Sequence, residues 1–114
     1  MKKQILVVAG EASGDLHGAG LLRELKKINS EVEFFGLGGD KMQKEGLKIS
    51  YHINQVSFMG LFEILLHLSF LRKVFKDLLN QVDSTKPDLA ILIDYSGFNL
   101  RLAKKLKKRK IPIV

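Results

Sequence analysis

The 114-residue chain contains no cysteine. That absence removes disulfide scaffolding, thiol catalysis and cysteine-ligated zinc or iron–sulfur sites together. A membrane-spanning run is also missing. The most apolar stretch, Phe58 to Leu71, covers 14 residues and carries Glu63 and His67, whereas a bilayer span needs roughly 20 apolar residues. Lys2 and Lys3 precede an apolar run from Ile5 to Ala9, but this run is too short for a signal-peptide core and leads into a Gly/Asp turn. A cytoplasmic protein is expected, with a membrane-surface role open. There is no internal repeat and no low-complexity linker.

Acidic residues are missing from one region only. Positions 101–114 hold Arg101, Lys104, Lys105, Lys107, Lys108, Arg109 and Lys110 and no acid, while positions 1–100 hold all 12 acids and 12 of the 19 Lys/Arg. The net charge of +7 therefore belongs entirely to one end. A chain coated with basic charge, the usual footprint of nucleic-acid binding, is not what is written here. No aromatic residues interleave with the basic run, which also argues against nucleic acid.

What is present is the composition of one soluble domain, 46% hydrophobic and 27% charged. Ile5–Ala9, β-branched and continuously apolar, reads as a strand buried on both faces. From about Asp15 to Ile28, Leu16, Ala19, Leu22, Leu25 and Ile28 recur at helical spacing between charged residues, an amphipathic helix. Val32–Leu37 reads as a second strand, closed by Gly38-Gly39-Asp40, then a short helix near 41–45 and an extended piece around 48–51. Residues 58–82 read as helical with a break near Ser69. After Pro87, Leu89–Ile93 is another buried strand, followed by a helix over 98–109 and a further strand beginning at Ile111. This alternation predicts an α/β fold: a Rossmann-like parallel sheet with helices on both faces and right-handed crossovers. Because the chain stops inside the apolar run Ile111–Val114, it reads as a piece of a longer protein.

In such sheets ligands gather beyond the carboxyl ends of the strands. There the sequence places Gly10–Asp15, Gly36–Asp40 and Asp94–Asn99. Gly10-Glu11-Ala12-Ser13-Gly14-Asp15 is neither a dinucleotide fingerprint nor a phosphate loop. It is either a strand–helix turn capped by Ser13 or Asp15, or a ligand loop at a helix start. Asp94, at the end of a central strand, stands where a general base could take a proton from a hydroxyl, or where a carboxylate could simply cap the next helix. Gly38-Gly39-Asp40 reads as a turn with a helix cap. His17, His52 and His67 show no metal-ligand spacing. Phe58–Leu71 has 10 large apolar residues in 14, wider than one core-facing stripe needs, so a second face is left for another domain, an acyl chain or a membrane surface.

Together, Ala9–Asp15, Gly38-Gly-Asp-Lys-Met42, Met59-Gly-Leu-Phe-Glu63, Lys86-Pro-Asp88, Asp94 and Phe98-Asn99 resemble, in order and spacing, the N-terminal part of the lipid-A-disaccharide synthases. The resemblance covers essentially the whole chain. It implies the N-terminal, acceptor-side domain of a GT-B glycosyltransferase over residues 1–114, with a C-terminal UDP-sugar-binding domain beyond it. The implied reaction joins UDP-diacylglucosamine to diacylglucosamine phosphate (lipid X), with inversion and without metal or other cofactor. By the same resemblance Asp94 is the base, and Gly10, Glu11, Ser13, Gly14, Asp15 and Asn99 line the substrate cleft. Met59, Leu61, Phe62, Leu65, Leu66 and Leu68 would meet acyl chains or the membrane, giving peripheral association with the inner membrane and its anionic lipids. Ser96 stands where the family usually has proline, which implies a less rigid loop. The isolated chain is expected to be inactive. The alternative from the residues alone is a non-catalytic Rossmann-like domain holding a nucleotide or polyanion at Gly10–Asp15 and the basic end. The basic helix itself reads as a sheet-covering helix with a solvated face, whose charge also suits phosphorylated lipids.

Overall fold

The fold is built on one parallel sheet. In a computed structural model that describes residues 2–56 and 65–114, the elements run β1 (Lys3–Ala9), α1 (Ala12–Ile28), β2 (Val32–Gly38), α2 (Asp40–Lys44), β3 (Leu47–His52), α3 (Ile53–Val56), α4 (Leu68–Thr85), β4 (Leu89–Ile93) and α5 (Ser96–Lys108). The strands are ordered β3-β2-β1-β4, with Ile5 paired to Phe34 on one side and to Leu89 on the other. β1 is therefore central, which is why its five apolar residues are all buried. Residues 112–114 begin a further parallel pairing on the free side of β4: Val114 N–H donates to the Ala90 carbonyl at 2.9 Å, and Ala90 N–H to the Pro112 carbonyl at 2.9 Å.

Alternation along the strands splits the core in two. Ile5, Val7 and Ala9 of β1 face α1 and α2 through Ala19, Leu22 and Met42. Leu6 and Val8 face α3, α4 and α5 through Val56, Val74, Leu78, Leu102 and Leu106. Burying a side chain of this size is worth about 1.5–3 kcal/mol, so these two layers carry most of the drive to fold. The α4 stripe of Val74, Leu78 and Val82 at three- and four-residue spacing is the sequence pattern made physical.

Three local features explain motifs that hydropathy could not. Lys86 ends α4 in the left-handed region (φ 53°), its N–H returning to the Val82 carbonyl at 2.8 Å. Asp88 then clasps the start of β1: its carboxylate accepts Gln4 N–H at 2.9 Å, and its own N–H donates to the Gln4 carbonyl at 2.8 Å. Gly14 lets α1 lie close on the sheet, since a Cβ there would stand 3.1 Å from the Ala9 Cβ.

Some expected boundaries move. α1 starts at Ala12, so Ser13 and Asp15 lie inside it, and neither caps it; the N-cap residue is Glu11, with no side-chain capping bond. The break expected near Ser69 falls at His67, which has φ −109° and ψ 19° and separates helical Leu65 and Leu66 from α4. Met59, Leu61 and Phe62, and with them the 59–63 motif, lie outside the described residues. Among the described residues no helix is long and apolar enough to cross a membrane.

Candidate functional site

The chain leaves β1 toward β2 on one side, with α1 on one face of the sheet, while β4 lies on β1's other side and is followed by α5 on the opposite face. Such a reversal, beyond the carboxyl ends of β1 and β4, is the place where open α/β sheets bind ligands. Two segments lie there: Gly10-Glu11 after β1, and Asp94-Tyr95 after β4.

Asp94 and Tyr95 are consecutive non-glycine residues in the left-handed region, with φ of 51° and 55°. Asparagine and aspartate tolerate this region; an aromatic residue needs support from its surroundings. The support is visible. The Tyr95 hydroxyl donates to the Val56 carbonyl at 2.5 Å, and its ring packs 5.3 Å from Phe98 and directly over Gly10. Buried Asn99 reaches back from the first turn of α5, its Nδ2 donating to the Asp94 carbonyl at 2.5 Å. Burial, then the charge of Glu11, pushes the Tyr95 phenol above its ordinary value.

The result is an exposed Asp94 carboxylate at the end of a buried strand, with no hydrogen-bond or ion-pair partner among the described residues. Glu11 and Ser13 are also exposed, while Gly10 and Gly14 are buried against the sheet and shape the turn. An unpaired carboxylate on a fixed backbone is free to meet a hydroxyl within hydrogen-bond reach, the geometry that a general base needs.

Asp15 ties two loops together. It is 5% exposed, and its carboxylate accepts the backbone N–H groups of Gly39, Lys41 and Met42, each at 3.0 Å. Gly39 is the N-cap residue of α2 and has no side chain to serve as a cap. Asp15 supplies it from another helix, and so locks the Gly10–Asp15 turn to the Gly38–Asp40 loop. The cap expected at Gly38-Gly39-Asp40 is present, but its donor set is met from 24 residues away.

Tyr95 was not singled out by pattern, because nothing local to its neighbours marks it; its partners Gly10 and Val56 come from other elements. The same is true of His52. Its Nδ1 accepts the Asn54 N–H at 3.1 Å, so Nε2 carries the proton and donates to Asp40 at 2.8 Å. One ring nitrogen thus holds the end of β3 to α2, and the other caps the start of α3. Among the described residues no cluster of three His, Cys, Asp or Glu side chains is arranged to hold a metal.

Leu65 and Leu66 are 60% and 65% exposed, large apolar side chains turned to solvent just before α4. Leu68 is half-buried at the first position of that helix.

The family model described as lipid-A-disaccharide synthetase matches residues 5–114. Curated relatives named lipid-A-disaccharide synthase include those of Koribacter versatilis, 45% identical over 97% of this chain and 29% of the relative, and of Geobacter sulfurreducens, 39% identical over 97% and 29%. That of Blochmanniella pennsylvanica is 48% identical over 92% of the chain and 27% of its own length. The chain thus spans under a third of the length of the relatives it matches. With the motifs carried on a Rossmann-like parallel sheet and the match running from β1 to the last residue, the chain belongs to the lipid-A-disaccharide synthetase family.

Proposed function

We propose that this chain is the acceptor-side part of a peripheral membrane glycosyltransferase of lipid A biosynthesis, with Asp94 as its general base. The exposed, unpaired Asp94 carboxylate beyond the carboxyl ends of β1 and β4 carries this reading. It takes the proton of the acceptor hydroxyl of lipid X as that oxygen attacks the anomeric carbon of UDP-diacylglucosamine. The bond to UDP breaks, UDP leaves with the bonding pair, and attack from the opposite face inverts the configuration. A positioned base of this kind is typically worth about 10²–10⁴ in rate.

Around it, Tyr95 and Asn99 hold the backbone that aims the carboxylate, and Glu11 and Ser13 offer polar atoms to sugar hydroxyls. Glu11 at the start of α1 disfavours a phosphate there, which directs the phosphate groups elsewhere. The UDP-sugar half of the cleft belongs to a second domain, so the 114-residue chain alone has no turnover. Leu65 and Leu66, continuing the apolar run from Met59, Leu61 and Phe62, meet acyl chains at the membrane surface.

The test is Asp94→Asn in the full-length enzyme. Asparagine keeps the shape and tolerates the left-handed backbone, so the fold survives and turnover falls at least about a hundredfold. Near-normal turnover removes Asp94 from this role.

A further inference from the structure

α4 and α5 lie side by side on the sheet face opposite α1, and between them runs an open groove of about 700 Å³. Phe75 of α4 lines it together with Arg101, Lys104, Lys105, Lys107 and Lys108 of α5. The helix explains the arrangement. Leu102 and Leu106 turn inward and are fully buried, and the residues between them are left to display charge along the groove.

Those five cations are not neutralised by their neighbours. Among the described residues none of the five has an ion-pair partner. The nearby acids are engaged elsewhere: Asp83 by Arg109 at 2.6 Å, and Asp77 by the Tyr51 hydroxyl and, at 3.9 Å, by Lys73. Phe75 is itself held edge-on against Phe98 at 5.5 Å, so the apolar floor is anchored to the helix that follows Asp94. One phenyl ring set among five unpaired cations is complementary to a molecule that is anionic and apolar at once. A hydrophilic polyanion would gain nothing from the phenyl ring, and a neutral lipid nothing from the charge.

We propose that the α4–α5 groove is a seat for the phosphate headgroup of an anionic phospholipid, with Phe75 against the glycerol and upper acyl carbons. This rests on the membrane-surface reading above and gives it a defined polar contact, separate from the apolar contact at Leu65 and Leu66. Each Lys or Arg near an anionic surface strengthens attraction, and the effect falls off within a Debye length. The groove therefore sets which membrane is bound, while the leucines set how deeply.

The experiment is co-sedimentation of the full-length protein with phosphatidylcholine vesicles, with and without phosphatidylglycerol. Wild type is expected to prefer the phosphatidylglycerol vesicles, and Lys104→Glu/Lys108→Glu to lose at least about tenfold of that binding while keeping its residual affinity for pure phosphatidylcholine. Lys41→Glu/Lys44→Glu, at two exposed positions of α2 on the opposite sheet face, makes the same change in net charge and should alter binding little. Leu65→Ser/Leu66→Ser should weaken binding to both vesicle types. If wild type binds neither, the membrane-surface reading fails; if wild type binds anionic vesicles and the groove variant binds them equally, the groove assignment alone is overturned. Soluble glycerol phosphate that competes as well as the vesicles do would also overturn it, in favour of a small-anion site. Retention of the circular dichroism spectrum in the Lys104→Glu/Lys108→Glu variant is expected, because both side chains are exposed.

Discussion

The ring of Tyr95 fills the space in which a side chain at position 10 would stand: a Cβ on Gly10 would lie 2.3 Å from the Tyr95 Cγ. The loops after β1 and β4 are thus fitted to one another through an absent side chain and a large one. Gly10→Ala should be destabilising by about 1–3 kcal/mol, the usual cost of forcing extra volume into a packed site. Combining it with Tyr95→Ala should give less than the sum of the two single losses. Urea denaturation of the four members of this cycle measures the coupling, and strict additivity would mean that the two residues do not meet.

Tyr95 has two separable jobs, and two substitutions separate them. Tyr95→Phe keeps the ring over Gly10 and loses the bond to the Val56 carbonyl, leaving that acceptor unmet at a cost of about 1–3 kcal/mol. Tyr95→Ala removes the ring as well and should cost more than Tyr95→Phe, though less than the roughly 3–5 kcal/mol of a fully buried aromatic, because Tyr95 is half-buried. In the full-length enzyme, turnover should fall in the same order, because the residue beside Tyr95 is the proposed base. An alanine variant with unaltered turnover would show that Asp94 is aimed without it.

The contrast between Tyr95 and Asp94 shows what was legible in the sequence. The strand Leu89–Ile93 and the acid that ends it are local facts, visible as an apolar run and its punctuation. The general layout followed in the same way, from runs of strand and helix period and the handedness of parallel crossovers. Contacts between loops have no such signature. Asp15 looked like a cap for its own helix because capping is usually local, yet its carboxylate serves α2 instead. Gly39 offers no cap of its own, but nothing in the sequence says which distant acid replaces it. The basic helix was legible as a helix with a buried Leu102–Leu106 stripe; the groove beside Phe75 needed the position of α4.

Acid should weaken the fold through surface carboxylates, with a sign that can be worked out. Hydrogen bonds from Lys26 and then Arg23 hold the Glu45 carboxyl below its ordinary value of 4.5, and Gln4 and Lys2 do the same for Glu33. A carboxyl whose value is lowered by folding contributes stability that is present above the unfolded value and lost as pH falls through the folded one. Glu45→Gln should therefore lower the Tm near neutrality and have little effect well below the ordinary glutamate range, where wild type has lost the same charge. Because the cationic partners of these carboxylates lie at the surface, the difference should also shrink in high salt. Thermal melts over that pH range decide the matter, and a Tm difference that persists in acid would assign the effect to packing instead.

Asp15 offers the sharpest test of how the loops after β1 and β2 are joined. Three backbone N–H groups converge on its buried carboxylate, so Asp15→Ala strands all three donors where water has little access. Hydrogen bonds to a charged group are worth about 1.5–3 kcal/mol each, but losses within one network do not add, and a total of about 3–5 kcal/mol is expected. Asp15→Asn retains one acceptor oxygen and turns an amine toward the remaining donors, so it should fall between wild type and alanine. The loss should be local before it is global. Amide hydrogen exchange in the alanine variant should speed up first at Gly39, Lys41 and Met42, ahead of the buried strand β1. Uniform acceleration across β1 and α2 would instead mean that the Asp15 clasp is coupled to the whole sheet and is no separate joint between the two loops.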